Sequence, residues 1–288
     1  MRDEINLRAY GKINLGLDVT GRLPGGYHQV KMVMQSVDLY DTLTFCRTTQ
    51  AEGITLTTDS PGLSVGSDNL ISRAAAAMFQ AFHIQEGVRI HLHKAIPIAA
   101  GMAGGSTDAA ATFKGINALF GIHAPLSRLM ELGVSIGADV PYCLSSGTAL
   151  AEGIGEVLTP LAPLPDCTLL LAKPDISVST KYVYEHLDAI PSYRHPDIDG
   201  MMASIQAGDL DGVLARMGNV LEAVTIPTWP VIASIKEEMR HLGADGCLMS
   251  GSGPTVFGVF GDRALAEAAC RHLQQSGLAP WVCLTRPV

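Results

Sequence analysis

The sequence predicts an α+β protein of two domains, and three observations carry that expectation. Before residue 100, apolar and polar residues alternate over several stretches, the period-2 signature of half-buried strands. Alanine-rich runs bounded by helix-start and helix-stop residues interrupt those stretches. Beyond Pro165 the elements fall in the order β-α-β-β-α-β, the ferredoxin-like split βαβ. Three prolines between Pro160 and Pro165 mark the boundary, dividing the chain into domains 1–160 and 161–288.

Taken in order, the first strand runs from Ala9 to Val19. Ile13, Leu15, Leu17 and Val19 share one face, and Lys12, Asn14, Gly16 and Asp18 share the other. That polar face is either solvated or part of a site. Pro24-Gly25-Gly26 forms a turn, so Tyr27 and His28 stand where the chain returns. Strand-like runs follow at Val30–Val37, Leu43–Arg47 and Ile54–Thr58, then a helix from Asn69 to Phe82 behind a Ser67/Asp68 cap region. Val88–Lys94 alternates again, with His91, His93 and Arg89 on one side. An H-x-H pair can ligate a metal, but no Cys, Asp or Glu cluster accompanies it in sequence, and the stretch reads as an exposed strand face.

The most informative stretch runs from Pro97 to Phe113, PIAAGMAGGSTDAAATF. Gly101, Gly104 and Gly105 let another molecule approach the backbone, and Ser106, Thr107 and Asp108 open an alanine-rich helix. Free N–H groups at a helix start favour an anion, so the stretch reads as a phosphate cradle. It is no Walker A loop, because Gly-Lys-Ser/Thr does not follow the glycines. A second helix starts at Pro125, and Asp139, two residues before Pro141, reads as a helix cap or as a reactive carboxylate. In the second domain, strands are expected at 168–172, 246–250, 255–260 and 281–285, and helices at 230–242 and 263–276. A largely helical insertion is expected at 174–228.

Composition narrows the function. A net charge of −8 argues against a nucleic-acid surface, which needs clustered Lys and Arg. No apolar run approaches the ~20 residues of a membrane span, and the start MRDEINLRAY lacks a signal-peptide layout. Six cysteines without a C-x-x-C pair read as reduced core residues, which points to a cytoplasmic protein.

Together the motifs resemble one family, the GHMP small-molecule kinases. The resemblance rests on three motifs in the right order: AYGKINLGLDV from Ala9, the Gly-rich loop Pro97–Ala110, and MSGSGPTVF from Met249 to Phe257. It implies a two-domain fold, ribosomal-protein-S5-domain-2-like at the N-terminus and ferredoxin-like at the C-terminus. Gly26-Tyr27-His28, Gly137–Pro141 and Lys173–Tyr184 make it nearest to the branch acting on a CDP-linked methylerythritol.

The resemblance then implies ATP-dependent phosphorylation of the 2-hydroxyl of that sugar alcohol, with Mg²⁺ carried on the ATP phosphates. It assigns Asp139 as the base and Lys12 as its cationic partner. Pro97, Gly101, Met102, Ala103, Gly104, Gly105, Ser106, Thr107 and Asp108 would hold ATP, with Gly251, Ser252 and Gly253 behind the phosphates. Asn14 would orient the alcohol, and Tyr27, His28 and Tyr184 would take the cytosine. Small molecules are the implied partners, nucleic acid and membrane are not, and the assembly is a monomer or homodimer. Met102, Ala103 and Thr107 stand where family loops usually carry Leu, Gly and Ser, and Gly25 stands where Asp is usual. Three other readings remain: a GHMP kinase for mevalonate or homoserine, an RNA-binding module, and a cousin that uses ATP to decarboxylate a diphosphorylated acid.

Overall fold

The computed structural model describes residues 3–23 and 25–288. It forms two compact units that do not follow chain order. One holds the described residues up to Gly11, Leu39–Ile98 and Ala103–Ser146; the other holds Lys12–Asp38, Ala99–Met102 and Gly147–Val288. Two long strands, β1 (Glu4–Arg22) and β2 (His28–Thr48), contribute residues to both. The two runs expected at Val30–Val37 and Leu43–Arg47 are one strand, because no Gly or Pro interrupts residues 38–42. Pro24 of the expected turn lies outside the described residues.

In the first unit, β3 (Ile54–Thr58), α1 (Leu70–Ala81) and β4 (Gly87–His93) make a βαβ unit with β3 and β4 parallel. The local strand order is β3-β4-β2-β1, with β4 antiparallel to β2 from Thr42↔His93 to Thr48↔Gly87. Asn69 caps α1 through its Oδ1 and the Ile71 N–H at 2.8 Å, so the cap lies one residue beyond the expected Ser67/Asp68. β4 buries Val88, Ile90 and Leu92 and exposes Arg89, His91 and His93, as its alternation requires. Then come α2 (Gly104–Leu119), α3 (Leu126–Val134) and α4 (Val140–Ser145). α2 packs its alanine face and Phe113 and Ile116 against α1 and α4.

In the second unit, β5 (Thr148–Glu152) pairs antiparallel with β2 and with β6 (Val157–Pro160). Next come β7 (Thr168–Lys173), α5 (Thr180–Leu187), α6 (Ile198–Ala207), α7 (Leu210–Leu214), β8 (Gly218–Asn219) and α8 (Glu222–Thr228). The chain ends with α9 (Val231–His241), β9 (Gly246–Met249), β10 (Val256–Phe260), α10 (Arg263–Ser276) and β11 (Trp281–Thr285). β7, β9, β10 and β11 form an antiparallel sheet in the order β11-β7-β10-β9, the ferredoxin-like order. Leu169, Leu170 and Leu171 on β7 are fully buried, each contributing about 1.5–3 kcal/mol of apolar burial.

The insertion between β7 and α9 is helical as expected, except for β8. That two-residue strand pairs parallel with β1 through Gly16↔Gly218 and Leu17↔Asn219. The last residues are stitched to β2: Asp38 N–H donates to Arg286 O at 2.9 Å, and Val288 N–H to Ser36 O at 3.0 Å.

Candidate active site

In the second unit, the alternation of β1 places Lys12 and Asn14 side by side on one face. That face is not solvated. Lys12 is 5% exposed and Asn14 is fully buried, with Lys12 Nζ donating to Asn14 Oδ1 at 2.7 Å. Holding an ammonium out of water is costly, and proteins keep one where negative charge comes to it. The backbone N–H of Lys12 donates to Met102 O at 3.1 Å, which ties the strand to the Gly-rich loop.

Two glycine runs meet beside this lysine. Gly101 has φ 71°, and a Cβ there would lie 2.3 Å from Ser250 O and 2.8 Å from Gly253 O, so only glycine fits. Ser250 Oγ donates to Gly101 O at 3.0 Å. Gly251 has φ 57°, and a Cβ there would lie 3.6 Å from both Lys12 Nζ and Asn14 Oδ1. Ser252 Oγ lies 2.9 Å from Thr180 Oγ1, and Gly253 N–H donates to Ser250 O at 2.9 Å. Lys12, Asn14, Gly101, Met102 and the turn Gly251–Gly253 thus form one constellation within this unit.

The first unit supplies the helix start. α2 begins at Gly104, earlier than the Ser106-Thr107-Asp108 opening expected from sequence, and no side chain caps it. Thr107 N–H is the first to find an acceptor, Ala103 O at 2.9 Å. Among the described residues, the N–H groups of Gly104, Gly105 and Ser106 make no bond within the protein, nor does the Ser106 hydroxyl. These donors suit a phosphate.

Thr107 and Asp108 point elsewhere: Thr107 Oγ1 donates to Tyr10 O at 2.7 Å, and Asp108 accepts from Lys94 Nζ at 2.9 Å. Ala103, just before the helix, sits at φ 56°, ψ 29°, a left-handed conformation that costs a side chain about 1 kcal/mol. Ala103→Gly is therefore expected to raise the melting temperature by about 2–4 °C, read from a thermal melt.

Gly137 lies beside the same helix start, where a Cβ would stand 3.7 Å from Ser106 Oγ. Two residues on, Asp139 precedes α4, but its side chain makes no capping bond. The cap expected from sequence is absent, since Asp139 is already at αR angles (φ −80°, ψ −11°) rather than in the extended conformation a capping residue needs.

Beside the start of α2 lies a buried cluster of two carboxylates and one ammonium. Lys94 Nζ bonds both Asp41 and Asp108, and Asp41 Oδ1 also accepts the Ala95 and Ile96 N–H groups at 2.6 and 2.8 Å. Burial pushes the Asp108 carboxyl up to about 8, against the pull of Lys94 and with help from the Asp41 charge. Burial also lowers Lys94, but Asp108 and Asp41 together hold it above the ordinary lysine value.

Of the three residues expected at a cytosine, two come together. The His28 and Tyr184 rings are 4.9 Å apart at 37°, and His28 Nε2 is 2.8 Å from Asp188 Oδ1. Asp188 in turn pairs with Arg22 at 3.0 Å. Tyr27 is 64% exposed and makes no ring contact with them.

A family model described as GHMP kinases N terminal domain matches residues 69–147, and one described as GHMP kinases C terminal matches 201–278. The chain belongs to the GHMP kinase family. A 4-diphosphocytidyl-2-C-methyl-D-erythritol kinase of Lachnospira eligens is 52% identical over 98% of each chain. A crystal structure of a 4-(cytidine 5'-diphospho)-2C-methyl-D-erythritol kinase superposes with TM-score 0.83 at 31% identity, covering 98% of this chain and 99% of its own. A homoserine kinase structure from Cytophaga hutchinsonii, at 19% identity and TM-score 0.76, shares the fold.

Several residues of the two units escape sequence reading. Asp188 and Asn219 lie in the insertion, outside every quoted motif, and are found only through their partners. Asp41 lies on β2 and Lys94 just after β4, and nothing in their spacing announces the cluster. None of the six cysteines is bonded to another; burial pushes the Cys167 and Cys247 thiols up to about 11, leaving them unreactive. No helix of the described residues is long and apolar enough to cross a membrane.

Proposed function

We propose that this GHMP kinase transfers the γ-phosphate of ATP to the 2-hydroxyl of 4-diphosphocytidyl-2-C-methyl-D-erythritol, in the non-mevalonate route to isoprenoid precursors. The observation that carries the reading is the end-to-end 52% identity to a kinase of that name. The tethered His28–Tyr184 pair, a platform suited to a nucleobase, supports it.

In this reading Asp139 accepts the proton of the 2-hydroxyl as the alcohol oxygen bonds the γ-phosphorus and ADP leaves. Lys12 keeps Asp139 ionised and stabilises the developing alkoxide, and Asn14 orients the sugar alcohol. The amides of Gly101, Met102, Ala103, Gly104, Gly105 and Ser106 cradle the triphosphate, Pro97 stiffens the start of the loop, and Gly251, Ser252 and Gly253 back it. Thr107 and Asp108 anchor the start of α2 to Tyr10 and Lys94 rather than touching nucleotide. His28, held at Nε2 by Asp188, bonds the edge of the cytosine, while Tyr184 and Tyr27 stack on the base.

Mg²⁺ fits as a passenger of the triphosphate. Among the described residues no three His, Cys, Asp or Glu side chains gather to cage a cation, while the Ser106 hydroxyl makes no bond within the protein and can serve as a ligand. Bound there, the ion would neutralise phosphate charge.

The functional halves are 1–160, carrying loop and base, and 161–288, carrying the Gly251 turn; each matched family segment falls within one of them. The protein works in the cytoplasm as a monomer or homodimer on small molecules.

³¹P NMR of the product tests the reading, with CDP-methylerythritol, mevalonate and homoserine each offered alongside ATP. Phosphate on the tertiary 2-hydroxyl of the cytidine substrate is expected, and a preference for either other alcohol overturns the assignment. Salt-sensitive RNA binding without phosphoryl transfer would favour the RNA-binding module. Tyr184→Ala is expected to raise KM for the cytidine substrate by about 10-fold through lost stacking and to leave KM for ATP unchanged in steady-state assays.

A further inference from the structure

We infer that Asn219 is a positioning residue that sets the place of the Gly251–Gly253 turn relative to Lys12. The inference rests on the reading above only in taking that turn to meet the ATP phosphates.

The carboxamide of Asn219 is 7% exposed and spent entirely on backbone. Nδ2 donates to Met249 O at 2.8 Å and to Gly251 O at 2.7 Å, while Oδ1 accepts the Leu221 N–H at 3.0 Å. Only a carboxamide offers two N–H donors and an acceptor at this reach. Aspartate would set acceptors against two carbonyl oxygens, and serine could satisfy one of them.

The residue is itself anchored to the strand that carries the reacting groups. Leu17 of β1 is paired with Asn219 of β8, and Val220 N–H donates to Leu17 O at 3.0 Å. Asn219 therefore joins β1, which bears Lys12 and Asn14, to the turn whose Gly251 has its Cβ direction 3.6 Å from Lys12 Nζ.

A second anchor acts on the same turn three residues later. Glu222 accepts the Met249 N–H at 2.9 Å, and both its oxygens bond Lys236 at 2.5 and 2.6 Å. Both polar backbone groups of Met249 are thus held from the insertion, N–H by Glu222 and C=O by Asn219. Gly251 O is held by Asn219 as well. Loss of Asn219 leaves two buried carbonyls without their donor at the point where the backbone turns toward the phosphates.

The test uses Asn219→Ser, Asn219→Ala and Asn219→Asp in the full chain, with melting curves and mant-ATP titration beside steady-state kinetics. The expected order of kcat is wild type, Ser, Ala, Asp. Asn219→Ala is expected to lower kcat/KM for ATP about 10–100-fold and to weaken mant-ATP binding. KM for the cytidine substrate is expected to change less than KM for ATP, because Asn219 bonds neither His28 nor Tyr184. Asn219→Asp is expected to recover part of its activity as pH falls, since a protonated carboxyl regains one donor.

A residue that only stabilises the fold would lower melting temperature and scale all activity with the folded fraction. That outcome, or unchanged mant-ATP affinity in a folded variant, overturns the inference. If Asn219→Ala is unfolded at assay temperature, Asn219→Ser at 15 °C decides on the same criteria. A wild-type preference for another alcohol would reject the substrate assignment but leave the mant-ATP comparison standing.

Discussion

Asp139→Ala is expected to lower kcat by about 10²–10⁴-fold while ATP and the cytidine substrate still bind within a few-fold of wild type. The carboxylate heads a helix of six residues yet makes no capping bond to it, so its removal takes no cap from α4. The helix keeps its place through Val140, Pro141, Tyr142 and Leu144, all buried, and a thermal melt of the variant separates any loss of stability from loss of the chemical step. In the proposed reading the loss falls on a step in which a proton must leave the alcohol as phosphorus is attacked. Single-turnover transfer from γ-labelled ATP reads the chemistry, and calorimetric titration of each ligand reads binding. A variant that turns over within ten-fold of wild type removes Asp139 as the base.

Asp108→Asn is expected to change how stability depends on pH. The Asp108 carboxyl is held at about 8 in the folded protein, against an unfolded value of 3.8. Between those values the folded state binds a proton that the unfolded state does not, so this group's contribution falls as pH rises from about 4 to 8. The sign is the reverse of an ordinary salt-bridged aspartate. Physically, a single ammonium balances only one of two buried carboxylates. Asp41 accepts two backbone N–H groups as well as the Lys94 ammonium, whereas Asp108 has Lys94. Asparagine keeps the shape of Asp108 without its titration. The variant is expected to lose less stability than wild type between pH 6 and pH 9, by several degrees of melting temperature at about 2–4 °C per kcal/mol. Parallel slopes for the two proteins would show that Asp108 does not carry the proton.

The parts of the fold legible in sequence were those written locally. The alternation at 88–94 and the order of elements after Pro165 give β4 and the four-stranded sheet, with no end shifted by more than one residue. The Gly-rich loop was legible as an anion site because glycines and a helix start are adjacent in the chain. Its details were not. Sequence cannot show that Thr107 turns inward to Tyr10 or that Asp108 answers to Lys94, since both partners come from other strands. β8 has two residues and no periodicity, so its pairing with β1 is invisible before the fold exists. The polar face of β1 was ambiguous for the same reason: alternation assigns Lys12 and Asn14 to a face, and only tertiary packing decides whether water reaches it.

The hydrogen bonds from Arg286 and Val288 to β2 have a consequence for synthesis. Residues 36 and 38, made early, find these partners some 250 positions later. β7 likewise meets β10 and β11 only after the whole insertion has been made. The first unit needs nothing beyond Ser146, so its contacts are complete when half the chain is still to come. The second closes on its own beginning. Such long loops slow the search for native pairings, and strands that still await their partners are the ones open to wrong pairing in the meantime.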